Sequence, residues 1–93
     1  MRLRFYIDPE SREPHIAHHG VSKQEVKEAL GSALEDRRGK DGSRVALGRT
    51  DSGRYIRVVY VPDPDAGSLF VVTAMELTAG EKHALARRLK RNR

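Results

Sequence analysis

Three strand-like segments follow one another in the second half of the chain, and the short connections between them restrict the fold more than any other feature. Rich in β-branched and aromatic residues, they cover residues 44–50, 54–61 and 68–75. A turn at 51–53 separates the first two, and a proline- and glycine-rich loop at 62–67 separates the last two. Parallel neighbours need a crossover of about a dozen residues or more, so the segments predict an antiparallel meander.

The middle segment, residues 54–61, contains more polar side chains than a core strand needs. It carries Arg54 and Arg57 together with two of the three tyrosines, Tyr55 and Tyr60. Because side chains alternate across a strand, the segment has two faces with apolar residues, and Arg57 shares the second face with Tyr55. We expect the first face to pack on helices and the second to be partly open to an anion.

Two capping boxes mark the starts of helices. Ser22 with Glu25, and Thr78 with Glu81, each combine a hydroxyl residue with a glutamate three positions later. The first box predicts a helix that ends near Gly31. The second predicts a last helix with a narrow apolar stripe and a basic opposite side.

The N-terminal part predicts a strand and a broken helix. Residues 3–7 are apolar and aromatic, and Asp8 with the proline that follows it is a helix-start signal. Pro14 interrupts this helix, which then restarts and ends at Gly20. Residues 34–38 could form a further strand.

Length and composition predict a single domain over residues 1–93. With 38% hydrophobic and 33% charged residues, the chain is typical of globular proteins. We expect the α+β class, with an antiparallel sheet (a meander) packed with N-terminal helices and a C-terminal basic helix. The sequence has no cysteine, no run of about 18 apolar residues and no signal-peptide pattern, so we expect a cytoplasmic protein without a membrane span.

The net charge of +5 is concentrated at the C-terminal end. Of 18 Lys and Arg residues, six lie in residues 82–93, which contain no acid, so 12 cationic residues remain against all 13 acids. Such an asymmetry can direct a chain to nucleic acid or to an acidic protein. The alternative is a solvated helix face that ends in a frayed basic tail.

His15, His18 and His19 lie within five residues and leave three interpretations open. His15 and His19 have the i,i+4 spacing of a metal-binding pair, but no acidic residue completes a known metal signature, so no metal site is predicted. His19 could instead close a helix beside Gly20, where the helix dipole favours its cation. It could also transfer a proton, since histidine titrates near neutrality.

Four arginines cluster on the central hairpin: Arg44, Arg49, Arg54 and Arg57. Arginine binds phosphate through two parallel hydrogen bonds, and a cation can stabilise the charge that develops at phosphorus during RNA cleavage. The alternative is that these arginines cap strand ends and pair with nearby acids: Asp51, Asp36 or Glu35. For any one arginine the alternative is favoured, whereas the cluster as a group indicates function.

The candidate site residues form two sets. The catalytic set combines three arginines with two candidates for proton transfer: Arg54, Arg57, Arg44, His19 and Glu76. The nucleic-acid-binding set combines cations of the last helix with two tyrosines that could stack on bases: Lys82, Arg87, Lys90, Arg91, Tyr55 and Tyr60. No P-loop, dinucleotide fingerprint or nucleophile elbow occurs, so no cofactor is predicted.

Short motifs follow one another in order over nearly the whole chain: His19-Gly20-Val21-Ser22 with Glu25, Arg44 through Gly48, Gly53-Arg54, Val58-Val59-Tyr60, Val71-Val72-Thr73-Ala74, Thr78 and Glu81-Lys82. In this order they resemble the BrnT family of type II toxins. The resemblance implies a single BrnT-like domain with a RelE-like fold and metal-independent cleavage of RNA. It also implies a BrnA-type antitoxin that neutralises the toxin and represses their shared operon, and often a toxin homodimer.

One departure from the BrnT pattern lies after the third strand of the meander. The family has a small residue followed by arginine there, whereas this chain has Ala74 followed by Met75 and Glu76. Methionine cannot stabilise a phosphorane. The alternative to a ribonuclease toxin is therefore a non-catalytic nucleic-acid- or protein-binding module of the same fold.

Overall fold

The computed structural model describes residues 2–64 and 67–91. Within this part, the chain forms one five-stranded sheet, one 3₁₀ helix and two α-helices. In chain order the elements are β1 (Arg2–Phe5), the 3₁₀ helix (His15–His19), α1 (Lys23–Gly31), β2 (Ala33–Arg38), β3 (Arg44–Arg49), β4 (Tyr55–Pro62), β5 (Ser68–Glu76) and α2 (Ala79–Arg91). None of the helices described is long and apolar enough to cross a membrane.

The sheet has the strand order β1-β5-β4-β3-β2. Strands β2 to β5 form the predicted antiparallel meander. The prediction of a wholly antiparallel sheet is wrong for β1, which pairs in parallel with β5 and makes the sheet mixed. The rule that short connections favour antiparallel pairs does not apply to β1 and β5, because most of the chain lies between them.

The helix predicted to begin at Asp8 does not form. The Asp8 carboxylate accepts the backbone N–H of the second residue after it, which is a local turn rather than a helix cap. Arg12 then adopts a left-handed conformation, φ 60°, and Pro14 returns to form a β-bridge with Ile7. Only the short 3₁₀ helix follows. It ends at Gly20 in the left-handed conformation, φ 68°, as predicted.

Several strand ends also differ from the predictions by one or two residues. β1 ends at Phe5 rather than at Ile7, and β4 continues to Pro62, which was predicted to begin a loop. A proline is tolerated at the end of a strand, where its missing N–H breaks no further ladder. Asp65 and Ala66 of the predicted loop lie outside the described residues.

The larger core lies between one face of the sheet and the helices that follow β1. It confirms the prediction that the first face of the middle segment packs on helices, since Ile56 and Val58 are fully buried there. The buried members of this core are Ile16, Val21, Val26, Ala29, Ala46, Ile56, Val58, Tyr60, Val71 and Ala74. We call this side of the sheet the α1 face.

The opposite side of the sheet carries α2, and we call it the α2 face. Its buried cluster is smaller and contains Leu47, Leu77 and Leu85. Val59 and Val61, which lie further along β4, are half-buried. The α2 face is therefore only partly covered by its helix.

Gly48 sets how closely α1 approaches the sheet. A Cβ atom added to Gly48 would lie 1.9 Å from the carbonyl oxygen of Ala29 and 2.6 Å from its carbonyl carbon. Both atoms belong to the backbone of α1, so no side-chain rotation can relieve this overlap. Only glycine allows the helix to lie this close to β3.

We expect Gly48→Ala to destabilise the fold by about 3 kcal/mol, because the added methyl group must move α1 away from the sheet. Urea unfolding followed by circular dichroism measures the loss. Gly31→Ala is the matched control, since a Cβ at Gly31 contacts nothing within 4 Å. A Gly48→Ala variant as stable as this control would contradict the close packing of α1 on β3.

Candidate nucleic-acid interface

Arg57 lies on the α2 face, half-buried between β4, β5 and α2. The sheet register places it directly opposite Met75, the residue that occupies the position where the BrnT pattern has arginine. Its Nη1 donates to Glu81 Oε2 at 2.9 Å, and its Nη2 donates to the sulfur of Met75 at 3.1 Å. One carboxylate and one neutral thioether therefore surround this guanidinium.

Glu81 reaches Arg57 because it belongs to the predicted capping box of α2, which forms in full. The backbone N–H of Thr78 donates to Glu81 Oε1 at 2.9 Å, and the Glu81 N–H donates to the Thr78 hydroxyl at 3.1 Å. The pKa of Glu81 is lowered, first by the Thr78 N–H and also by the charge of Arg57. Its carboxylate is thus held ionised by two partners.

Two further arginines converge on the same place from β2 and α2. Arg88 donates two hydrogen bonds to Glu35, at 2.7 and 2.9 Å, and this fork raises the pKa of Arg88 and lowers that of Glu35. Arg37 lies 3.8 Å from the same carboxylate. With Arg57, these arginines border a concave site of about 80 Å³, lined by Arg37, Leu47, Arg57, Leu77, Glu81, Ala84 and Arg88.

This concave site, the Arg57 pocket, has an excess of positive charge. Three guanidinium groups meet two carboxylates, those of Glu81 and Glu35, which leaves one uncompensated cation. The guanidinium groups of Arg57 and Arg88 are each one-third exposed, so an anion can reach them from solvent. The pocket can accept a phosphate oxygen without losing its internal ion pairs.

The predicted nucleic-acid-binding cations of α2 continue from this pocket along the helix. Lys82, Arg87, Lys90 and Arg91 are all exposed. Within residues 2–64 and 67–91, none of the four has an acidic partner. We call these four residues the basic face of α2. Arg93, the last basic residue of the chain, lies outside the described residues.

The two tyrosines of the nucleic-acid-binding set lie on opposite faces. Tyr55 is half-buried beside α2, and the Arg49 guanidinium lies 5.8 Å from the centre of its ring. Tyr60 is 6% exposed within the core of the α1 face, and its hydroxyl donates to Asp36. Burial, and then Asp36, raises its pKa. A base cannot stack on Tyr60 in this position, so its predicted role does not fit this structure.

Arg44 also lies on the α1 face, because the register pairs it with Tyr60. Its Nε donates to Asp36 at 2.7 Å, and this hydrogen bond raises the pKa of Arg44. The pair matches the alternative interpretation, in which the hairpin arginines bind nearby acids. Arg44 and Arg57 therefore do not share a site.

Arg54 lies near the end of the sheet where α1 begins, and it binds two carboxylates. Its Nη1 donates to Glu25 at 2.6 Å and to the Gly20 carbonyl at 3.1 Å, and its Nη2 donates to Glu76 at 3.2 Å. These partners raise the pKa of Arg54. The pKa of Glu25 is lowered, first by the Ser22 N–H of the α1 capping box and then by Arg54.

The two predicted proton-transfer residues lie on the Arg54 side of the molecule, away from the Arg57 pocket. Glu76 contacts Arg54 directly, and His19 precedes the glycine whose carbonyl Arg54 binds. The His19 ring is 5.2 Å from that of His15, whose Nδ1 lies 3.7 Å from Asp8. Among the described residues, no group of three or more His, Asp or Glu side chains is arranged to hold a metal ion.

The sequence analysis missed the contribution of Arg37 and Arg88 to the pocket. The Arg88–Glu35 contact joins residues 53 positions apart, which no local pattern reveals. A weak signal did exist in β2, where alternation places Glu35 and Arg37 on one face.

The family described as Domain of unknown function (DUF4258) matches residues 15–76 of the chain. This range begins at the 3₁₀ helix and ends with β5, so it includes Arg54, Arg57 and Glu76 but not α2. No curated protein and no solved structure matches the chain.

Glu25→Gln tests whether the Arg54 network acts through charge, because glutamine can still cap α1. The lowered pKa of Glu25 means that its stabilisation is complete above the ordinary value of 4.5 and is lost as the pH falls through the lowered pKa. We expect the variant to lose about 1 kcal/mol of stability at neutral pH, and this difference to shrink in acid.

Urea unfolding at a series of pH values measures this difference. Glu10→Gln is the control, since its side chain has no hydrogen bond or ion pair with the rest of the described chain, and it should change stability little at any pH. A Glu25→Gln difference that stayed constant into acid would show that the Arg54 pair contributes nothing through charge.

Proposed function

The chain belongs to the family described as Domain of unknown function (DUF4258), and we propose that it is an RNA-binding ribonuclease of the toxin class that the BrnT resemblance implies. The observation that carries the proposal is the basic face of α2 beside the Arg57 pocket. RNA would bind across this surface. The resemblance supplies the choice of RNA and the metal-independent reaction.

Electrostatics support the binding step. The four cations of the basic face are exposed and have no acidic partners within the described residues, so an RNA phosphate would replace only water and counterions. The arginines of the sheet differ, because most are already hydrogen-bonded to carboxylates. Binding therefore begins on α2, and the Arg57 pocket accepts a phosphate that lies next to the helix.

The chemistry expected at this surface is transfer of the phosphate to the 2′-oxygen. The 2′-oxygen forms a bond to phosphorus while the bond from phosphorus to the 5′-oxygen breaks, which leaves a cyclic phosphate and a 5′-hydroxyl. Arg57 and Arg88 would stabilise the charge on the non-bridging oxygens. A base must accept the 2′-proton, and an acid must protonate the 5′-oxygen.

The wider proposal follows the same resemblance. The order of a first strand, early helices, a meander and a last helix supports a RelE-like fold. A BrnA-type antitoxin would neutralise the domain and the toxin could form a homodimer, both in the cytoplasm.

A second candidate, RNA or protein binding without cleavage, is favoured by the positions of the catalytic set. Arg57 lies on the α2 face, whereas Arg54, Glu76 and Arg44 lie on the α1 face or at its end. The Arg57 pocket contains no histidine, and its carboxylates are engaged by arginines. The predicted proton-transfer residues do not meet it.

Removing charge from α2 should reduce the salt dependence of RNA binding. For Arg87→Gln with Arg91→Gln, we expect the slope of log K against log salt to fall by about 1.4, at about 0.7 for each phosphate contact on single-stranded RNA. Fluorescence anisotropy with a labelled uridine oligonucleotide measures the slope. Arg38→Gln with Lys40→Gln removes the same net charge elsewhere, and an equal effect of this control would exclude a specific role for α2.

Cleavage is tested by changing the two side chains that face each other across β4 and β5. We expect Arg57→Met to slow cleavage of RNA about a hundredfold in the presence of EDTA, because a guanidinium that stabilises the phosphorane is lost. Met75→Arg, which restores the cation of the BrnT pattern, should accelerate it. Gel analysis of end-labelled RNA measures both rates.

Arg38→Met is the control for these variants, since Arg38 has no partner within the described chain and lies on the exposed edge strand. Expression of the wild-type chain without an antitoxin should also stop growth. Intact RNA with both the wild type and Met75→Arg, combined with retained RNA binding, would replace the ribonuclease with the non-catalytic candidate.

A further inference from the structure

The outer edge of β1 is available for pairing. Within the described residues, β1 pairs only with β5 and forms one end of the sheet. The N–H groups of Arg2 and Tyr6 donate to the β5 side, at 2.8 and 2.9 Å. Because alternate residues of a strand direct their backbone groups to the same side, the N–H and C=O groups of Leu3 and Phe5 point to the free edge.

The same two residues line a groove between β1 and α1. This groove has a volume of about 220 Å³ and is lined by Leu3, Phe5, Lys23, Gln24 and Lys27. The side chains of Leu3 and Phe5 pack against the larger core and form its apolar floor. An edge strand and a groove thus meet at Leu3 and Phe5.

The lysines beside this groove have no counter-charge. Within residues 2–64 and 67–91, neither Lys23 nor Lys27 pairs with an acid. They are four residues apart on one helix, where like charges destabilise it by a few tenths of a kcal/mol, about 0.2–0.5. Lys23 is also the first residue of α1, where the helix dipole disfavours a cation. Carboxylates from a partner would relieve both costs.

We propose that β1 and this groove bind an extended acidic segment of a partner protein, which pairs with β1 as an additional strand. Its backbone would exchange hydrogen bonds with Leu3 and Phe5. On the side that faces α1, its carboxylates would reach Lys23 and Lys27, and small apolar side chains would cover the floor of the groove. Backbone pairing supplies affinity in this mode of recognition, and the side chains supply specificity.

The groove fits a peptide better than a nucleic acid for two reasons. The free carbonyl groups of Leu3 and Phe5 need hydrogen-bond donors, and a phosphate backbone has only acceptors. The Phe5 ring is also occupied, because Lys23 Nζ lies 5.4 Å from its centre, so a base could stack there only after displacing the lysine. The partner is therefore an acidic peptide segment.

This inference does not depend on the proposed ribonuclease activity. The groove lies on the α1 face at β1, whereas the Arg57 pocket and the basic face of α2 lie on the other face. Loss of peptide binding and loss of RNA binding can thus be separated by variants on opposite sides of the sheet.

A nuclear magnetic resonance titration of the full chain tests the proposal, because it detects weak binding residue by residue. The probe is a synthetic peptide of alternating valine and glutamate. We expect the backbone amide signals of Leu3 and Phe5 to shift. Lys23→Gln with Lys27→Gln, which keeps good helix formers in α1, should weaken binding about tenfold, whereas Lys40→Gln with Lys82→Gln should leave it unchanged.

Three further probes can overturn the proposal. The same peptide with methylated backbone nitrogens should not bind, and equal binding would exclude strand pairing. A peptide of alternating valine and lysine should not bind, and equal shifts would exclude recognition of acidic residues. A uridine oligonucleotide that shifted Leu3 and Phe5 when the acidic peptide did not would assign the groove to nucleic acid instead.

Discussion

Both α-helices are attached to β4 through the glutamates of their own capping boxes. Glu25 caps α1 and accepts a hydrogen bond from Arg54, and Glu81 caps α2 and accepts one from Arg57. Arg54 precedes β4 and Arg57 lies within it, so one strand positions a helix on each face of the sheet. A helix start, which is set by local sequence, thereby becomes a tertiary contact. The layered fold depends on these two pairs and on the space that Gly48 leaves for α1.

These ion pairs decide which positive charges remain for a ligand. Arg54 has two carboxylate partners and Arg44 has one, so an anion at either site would compete with a carboxylate already in place. The Arg57 pocket differs, because three guanidinium groups share two carboxylates. The cations of the basic face of α2 have no acid to displace. RNA binding is thus favoured on the face of the sheet that the smaller core leaves partly uncovered.

The sequence predicted well the features that depend on neighbouring residues. Both capping boxes form, and four strands lie within about two residues of their predicted ranges, because caps, turns and alternation are local. The helix at Asp8 failed because an aspartate before proline can also close a turn, and the bridge between Ile7 and Pro14 favours the turn. The roles of the arginines were not visible, since Arg54 and Glu25 are 29 positions apart.

The arrangement of the two candidate surfaces limits how a partner could control RNA binding. In the strand order, β5 separates β1 from β4, and the groove and the Arg57 pocket open on opposite faces. A segment paired with β1 alone would leave the basic face of α2 exposed to solvent. Such a partner could neutralise the domain only with a second acidic segment that reached α2. Strand pairing at β1 would then supply attachment, and the second segment would supply competition with phosphate.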